Sequence, residues 1–169
     1  MKRLLLDTNI YGEMVVDDTL TILIDTYEQK KDLMVYGFTV VRKELRDTPP
    51  LKKMLGRNLR VALLSLYDPI VKDHLLIVDE KALQLIAEEY FKQYKQLGGA
   101  KSFRVLEKDY LVVACGSQKG MDIVVSNDDA SMLSELSLRA YALVNERLKL
   151  RSPDFLDYNQ FKSLVFEGV

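Results

Sequence analysis

Residues 109–129, DYLVVACGSQKGMDIVVSNDD, decide the fold of this 169-residue chain. The apolar first half carries the small residues Ala114 and Gly116, which is typical of a helix packed closely against a sheet. Gly120 predicts the end of that helix, because glycine readily adopts the left-handed conformation found at helix C-termini. The β-branched run at 123–125 then predicts a short buried strand of a parallel sheet.

Carboxylates lie at both ends of this unit. Asp109 is predicted at the start of the helix, where the helix macrodipole favours negative charge. Asp128 comes just after the strand, and ligands of open α/β sheets bind beyond the carboxyl ends of the strands. The sequence therefore predicts that two acids approach one place.

Composition and charge narrow the class of protein. With 169 residues the chain is predicted to form one domain, 1–169. The net charge of −1 means that nucleic-acid binding would need a local basic patch. The single cysteine, Cys115, cannot form an internal disulfide and fits a reducing compartment. The N-terminus is too soon charged for a signal peptide and no apolar run reaches membrane-spanning length, so we expect a cytoplasmic protein without a membrane partner.

The first half of the chain alternates strands and helices. A buried strand at 2–6 is followed by Asp7-Thr8-Asn9, and one or two helices follow with a break at 17–19. A second strand is predicted at 33–38, with Thr39 capping a short helix. Pro49-Pro50 predicts the start of another helix, about 51–66, which Asp68-Pro69 would close.

The second half continues this alternation. Residues 75–78 fit either a short strand or a helix end, and Asp79 is predicted to cap a helix that stops at Gly98-Gly99. After the 109–129 unit we expect a long helix at about 131–148, an edge strand near 155–156 and a closing helix at 158–166. The continuous apolar strands predict a three-layer α/β/α sandwich with a mainly parallel central sheet.

Four acids are predicted to meet at one edge of that sheet: Asp7, Glu44, Asp109 and Asp128. Carboxylates held close together repel, and they stay ionised only with a counter-charge. Mg²⁺ or Mn²⁺ takes such oxygen ligands, and a bound divalent ion supports phosphodiester hydrolysis. Each acid alone is more simply explained as a helix cap or a solvated side chain, so the hypothesis rests on the set.

Three segments carry a resemblance to a known family: LLLDTNIYGEM at 4–14, TVVRKEL at 39–45 and KDYLVVACGSQKGMDIVVSNDDASM at 108–132. They resemble the PIN domain family of metal-dependent ribonucleases over almost the whole chain. The resemblance implies that the four acids are the catalytic metal ligands, supported by Thr8, Asn9 and Ser126. Ser126 stands where the family often has threonine and keeps the hydroxyl.

One position of this set is ambiguous by a single residue. Its spacing from Ser126 selects Asp128 as the fourth acid. Asp129 would then cap the helix predicted to begin near Ser131, whose first backbone N–H groups need an acceptor.

The resemblance also implies an activity and partners. The chain would be an endoribonuclease that uses Mg²⁺ or Mn²⁺, either as the toxin of a toxin–antitoxin pair or as an RNA-processing nuclease. Its partners would be RNA, an antitoxin protein and a second copy of the chain. Phosphate binding requires cations, and the candidates are Arg42, Lys43, Arg46, Lys52, Lys53, Arg57 and Arg60.

Two other functions fit part of this pattern. A phosphatase of the haloacid-dehalogenase type would need a second aspartate two positions after Asp7, and Asn9 stands there. A PIN-like module that binds RNA or protein without cutting is the stronger alternative, although all four acids are present.

Overall fold

The computed structural model describes residues 1–167, so the last two residues of the predicted 1–169 domain lie outside the described part. A parallel sheet in the order β2-β1-β5-β6 forms the centre, with β1 at Lys2–Leu6, β2 at Leu33–Tyr36, β5 at Ile123–Val125 and β6 at Asp154–Leu156. Helices cover both faces of this sheet, which confirms the predicted α/β/α class.

The described residues contain eight helices: α1 Thr8–Val16, α2 Leu20–Gln29, α3 Thr39–Asp47, α4 Leu59–Val71, α5 Glu80–Gln96, α6 Phe103–Gln118, α7 Glu135–Leu148 and α8 Tyr158–Phe166. None of them is both long and apolar enough to cross a membrane.

The two central strands explain why the sheet is parallel and buried. Leu4, Leu5 and Leu6 of β1 are all buried, as is the whole of β5. A strand that is apolar on both faces is stable only when both faces are covered. In register, Leu6 pairs with Val125, so β1 and β5 end side by side. The residues that follow these two strands therefore emerge at the same edge of the sheet.

Several predicted boundaries are confirmed. The break between α1 and α2 falls at 17–19. Asp79 caps α5 by accepting from the backbone N–H groups of Lys81 and Ala82. Gly120 has a φ of +62°, the left-handed conformation expected of a glycine at a helix end.

The predicted helix at 51–66 is wrong over 51–58 and correct from Leu59, where α4 begins. A two-stranded hairpin, β3 Lys53–Met54 and β4 Arg57–Asn58, occupies the first part of it. Leu55 and Gly56 both have positive φ, as a two-residue hairpin turn requires. Asn58 then starts α4 by accepting from the N–H of Val61. Pro69 lies within the last turn of α4, and the helix ends only at Val71.

Three helix starts also differ from prediction. Phe38, not Thr39, is the N-cap of α3. α7 begins at Glu135 with Ser134 as its cap, later than the predicted start near Ser131. α6 begins at Phe103, so Asp109 lies in its second turn and not at its start. The macrodipole acts mainly within the first turn and therefore does not explain the position of Asp109. The open segment 75–78 contributes a single bridge between Gly37 and Leu75.

Candidate active site

Asp7 lies at the centre of the candidate site. It directly follows β1, is only 7% exposed, and caps α1 by accepting from the N–H of Thr8 at 2.7 Å. Burial, and to a smaller extent the negative charges of Glu44 and Asp128, raise the pKa of Asp7 to about 6, although hydrogen bonds from Ser126 and Thr8 oppose the rise. Burial therefore favours the protonated form of Asp7.

Asn9 and Ser126 hold the second oxygen of Asp7. The Asn9 amide donates to Asp7 Oδ2 at 2.7 Å, and the Ser126 hydroxyl donates to the same oxygen at 2.8 Å. Asn9 also donates to Ser126 Oγ and accepts from the N–H of Asn127. These bonds join the end of β1 to the end of β5, so the predicted supporting role of both residues has a geometric basis.

Glu44 approaches from α3. Its Oε2 accepts from the Thr8 hydroxyl at 3.0 Å, which brings the α3 carboxylate beside the start of α1. Its Oε1 accepts from the Lys108 ammonium, also at 3.0 Å. The prediction did not include Lys108. The signal was its position immediately before Asp109 on the same helix.

Asp109 reaches the site from within α6. Burial is the main cause that raises its pKa to about 7, and the charges of Asp7, Asp128 and Glu44 add to the rise. The nearby Ser131 hydroxyl lowers it only in part. The charge of each of the other three acids acts on Asp109, so the four predicted carboxylates lie within electrostatic range of one another.

Asp128, and not the predicted Asp129, accepts hydrogen bonds from the backbone N–H groups that follow it. Asp128 Oδ1 accepts from the N–H groups of Ala130 at 3.1 Å and Ser131 at 2.8 Å, and its Oδ2 accepts from the Ser131 hydroxyl. Asp129 is exposed and does not cap a helix, because α7 starts at Glu135 with Ser134 as its cap. The physical reason is the extra turn at 128–134, which moves the helix start away from Asp129.

Substitutions at these two positions should separate charge from capping. Asp128→Ala is expected to cost about 1 kcal/mol of stability through the lost cap, together with activity. Asp128→Asn keeps an oxygen acceptor and is expected to lose activity with little change in stability. Asp129→Ala should change stability by less than about 0.5 kcal/mol and keep activity. Urea midpoints and RNA cleavage rates check all three, and a dead, folded Asp129→Ala protein would contradict the assignment.

Comparison with known proteins was informative at the level of structure. The sequence matches no protein-family model and no curated protein. A chain of VapBC2 from Rickettsia felis, bound to a promoter DNA fragment, aligns with a TM-score of 0.57 at 13% identity, over 92% of this chain and 98% of that chain. VapBC-1 from nontypeable Haemophilus influenzae aligns with a TM-score of 0.57 at 12% identity, over 93% of this chain and 98% of that chain. FitAcB from Neisseria gonorrhoeae aligns with a TM-score of 0.55 at 17% identity, over 92% of this chain and 97% of that chain.

The chain has the PIN-like fold. At these identities the likeness is one of fold, so the four acids of this PIN-like chain must be judged from its own geometry.

The four acids of the candidate site have the chemistry that a hard divalent cation requires of its ligands. Asp7, Glu44, Asp109 and Asp128 offer only oxygen ligands, which Mg²⁺ and Mn²⁺ prefer. Burial, and to a smaller extent the neighbouring carboxylates, raise the pKa values of Asp7 and Asp109, so a bound cation would favour their ionised forms. As the side chains lie, no three acidic, histidine or cysteine groups in residues 1–167 form a group that could hold a metal ion. Glu44 and Asp128 instead bond to Lys108 and to backbone N–H groups.

The seven predicted RNA-binding cations divide into two groups. Three have protein partners: Arg42 pairs with Asp68, Arg46 lies near Asp47, and Arg60 donates to the Thr48 carbonyl. The other four have no ion pair within the described chain: Lys43, Lys52, Lys53 and Arg57. The last three of these belong to the hairpin and the residue that precedes it.

Proposed function

We propose that this chain is a Mg²⁺- or Mn²⁺-dependent endoribonuclease that hydrolyses RNA phosphodiester bonds. The observation that carries the proposal is the hydrogen-bonded connection between buried Asp7 and two other acids at the strand ends. Thr8 donates to both Asp7 and Glu44, and the Ser126 hydroxyl donates to Asp7 and accepts from the backbone N–H of Asp128. The charges of these three acids also raise the pKa of half-buried Asp109. Such a site disfavours its own ionisation until a cation binds, and a cation bound there would lie at the strand ends where α/β folds bind ligands.

The residues of the site would either hold the ion or orient the acids that hold it. Asp7, Glu44, Asp109 and Asp128 would hold the ion, which when bound lowers the pKa of a water molecule and offsets phosphate charge. Asn9 and Ser126 orient Asp7 through its Oδ2. Thr8 orients Glu44. Cys115 would not serve as a nucleophile, because it is buried in the core and burial raises the pKa of its thiol to about 12.

We further propose that the nuclease is the toxin of a toxin–antitoxin pair. The matched chains belong to structures named VapBC2, VapBC-1 and FitAcB. An apolar groove of about 720 Å³, lined by Val15, Leu20 and the 75%-exposed Leu55 among others, supports a protein partner for this chain as well. An RNA-processing role is the second candidate. Cytoplasmic location and a homodimer stay predictions.

Hydrolysis of single-stranded RNA should require added Mg²⁺ or Mn²⁺. The reason is that the acids lack a cationic group able to offset all of their charge together with that of a phosphate. The measurement is cleavage of a labelled RNA after removal of metal, then with each ion restored, with Asp109→Asn as the matched control. Undiminished cleavage in excess chelator would refute the mechanism. RNA binding without cleavage in either ion would favour the non-cleaving module.

A further inference from the structure

The predicted hairpin cations and the acids lie at opposite ends of α1. Met54, Leu55 and Arg57 line the same groove as Val15, near the end of α1. Asp7 caps the other end, eight residues earlier. At 1.5 Å per residue this separation is about 12 Å along the helix. The hairpin cations are therefore not the ones beside the acids.

Lys108 is the cation that touches the acidic site. Its ammonium lies 3.0 Å from Glu44 Oε1 while its side chain stays 63% exposed. Glu44 accepts from Thr8, and the backbone N–H of Thr8 donates to Asp7. A continuous chain of polar contacts thus connects the exposed ammonium to the buried acid at the centre of the site.

Two further cations lie on the two helices that carry Glu44 and Lys108. Arg104 lies one helical turn earlier on α6, on the same face, is exposed, and has no ion pair among residues 1–167. Lys43, next to Glu44 on α3, lines a groove of about 260 Å³ together with Leu111 of α6. We name Lys43, Arg104 and Lys108 the α3/α6 rim.

We propose that the α3/α6 rim, with Lys108 at its centre, contacts the backbone phosphates of single-stranded RNA beside the acidic site; this rests on the proposed function. Four carboxylates repel a polyanion, and a cation next to them offsets that repulsion. An exposed ion pair contributes only about 0–1 kcal/mol. Lys108 can therefore exchange Glu44 for a phosphate at little cost, which a buried pair could not do.

The test measures binding apart from cleavage. A labelled single-stranded RNA is titrated by fluorescence anisotropy in Ca²⁺ over a range of salt concentrations, with gels to verify that the RNA stays intact. Lys108→Ala is expected to weaken binding roughly fivefold and to reduce the slope of log affinity against log salt by about 0.7. Lys108→Arg should retain both. Lys31→Ala, at an exposed lysine just before β2 and therefore at the opposite edge of the sheet from the acids, is the matched control and should change neither.

The outcomes separate this proposal from the proposed function. Unchanged affinity and slope in a folded Lys108→Ala protein would overturn it, as would an equal loss in Lys31→Ala. RNA binding by the unmodified protein without cleavage in Mg²⁺ or Mn²⁺, together with the Lys108→Ala defect, would support the rim and reject the nuclease. Absence of RNA binding by the unmodified protein would overturn both.

Discussion

Asp109→Asn should abolish RNA hydrolysis and, at the same time, stabilise the metal-free protein at pH 8. Activity should fall at least about a hundredfold, because even residues that only support metal ligands cost 10- to 100-fold when removed. Asp109 is half-buried by its helix neighbours and three negative charges act on it. An amide of the same shape removes the repelling charge.

The stabilising effect of Asp109→Asn should depend on pH with a definite sign. The pKa of Asp109 is about 7 in the folded protein, against 3.8 for an unperturbed aspartate. At pH 8 the folded protein holds the unfavourable charge, and asparagine should add on the order of 2 kcal/mol to the free energy of unfolding. At pH 5 the gain should be smaller, because the folded protein then holds Asp109 protonated. It should vanish only below the unfolded pKa of 3.8, where the acid is protonated in both states.

Urea denaturation in excess chelator at pH 5 and pH 8 measures this difference. Asp73→Asn, an exposed position, is the matched control and should change neither stability nor cleavage. If Asp109→Asn lowers the urea midpoint at both pH values, the carboxylate is a structural element of α6. If the variant still cleaves RNA at the original rate, Asp109 does not belong to the catalytic set.

The second large effect is a loss of stability of the metal-free protein as the pH rises from 5 to 8. Asp7 and Asp109 titrate near 3.8 when unfolded but at about 6 and about 7 when folded. Between the unfolded and the folded pKa values the folded state binds more protons than the unfolded state. The free energy of unfolding therefore decreases with rising pH. The two acids together should account for a decrease on the order of several kcal/mol.

A divalent ion should reverse this loss. Excess Mg²⁺ or Mn²⁺ is expected to raise the melting temperature strongly at pH 8 and weakly at pH 5, because protonated acids are poor ligands. Asp17 does not contribute to the change in stability between pH 5 and pH 8. Although burial opposes it, hydrogen bonds from Lys162 and Tyr158 hold the pKa of Asp17 well below its usual range.

Unfolding curves at four pH values, with chelator and with metal, test this expectation. Asp109→Asn supplies the control, since it should flatten the pH dependence and reduce the metal effect. A free energy of unfolding that rises from pH 5 to pH 8 in chelator would mean that the acids are not crowded. Equal stabilisation by metal at both pH values would place its binding elsewhere.

Local patterns were sufficient for most of the elements. The apolar runs of β1 and β5 can only be satisfied inside a covered sheet, and polar residues follow both runs at once. Asp7 and Asp128 were therefore predicted at one edge without knowledge of the fold. Similar reasoning failed at 51–66, because helical composition there does not reveal that Leu55 and Gly56 adopt positive φ.

The sequence by itself determined the α/β/α class, the strand ends and the identity of four candidate acids, since these depend on hydrophobic periodicity and on order along the chain. Only the tertiary structure decided which acid is a cap and which cation faces the acids. Asp128 caps its own turn because α7 starts later than its composition suggests. Lys108 meets Glu44 across 64 positions of sequence, a contact set by the packing of α6 against α3 and by no local pattern.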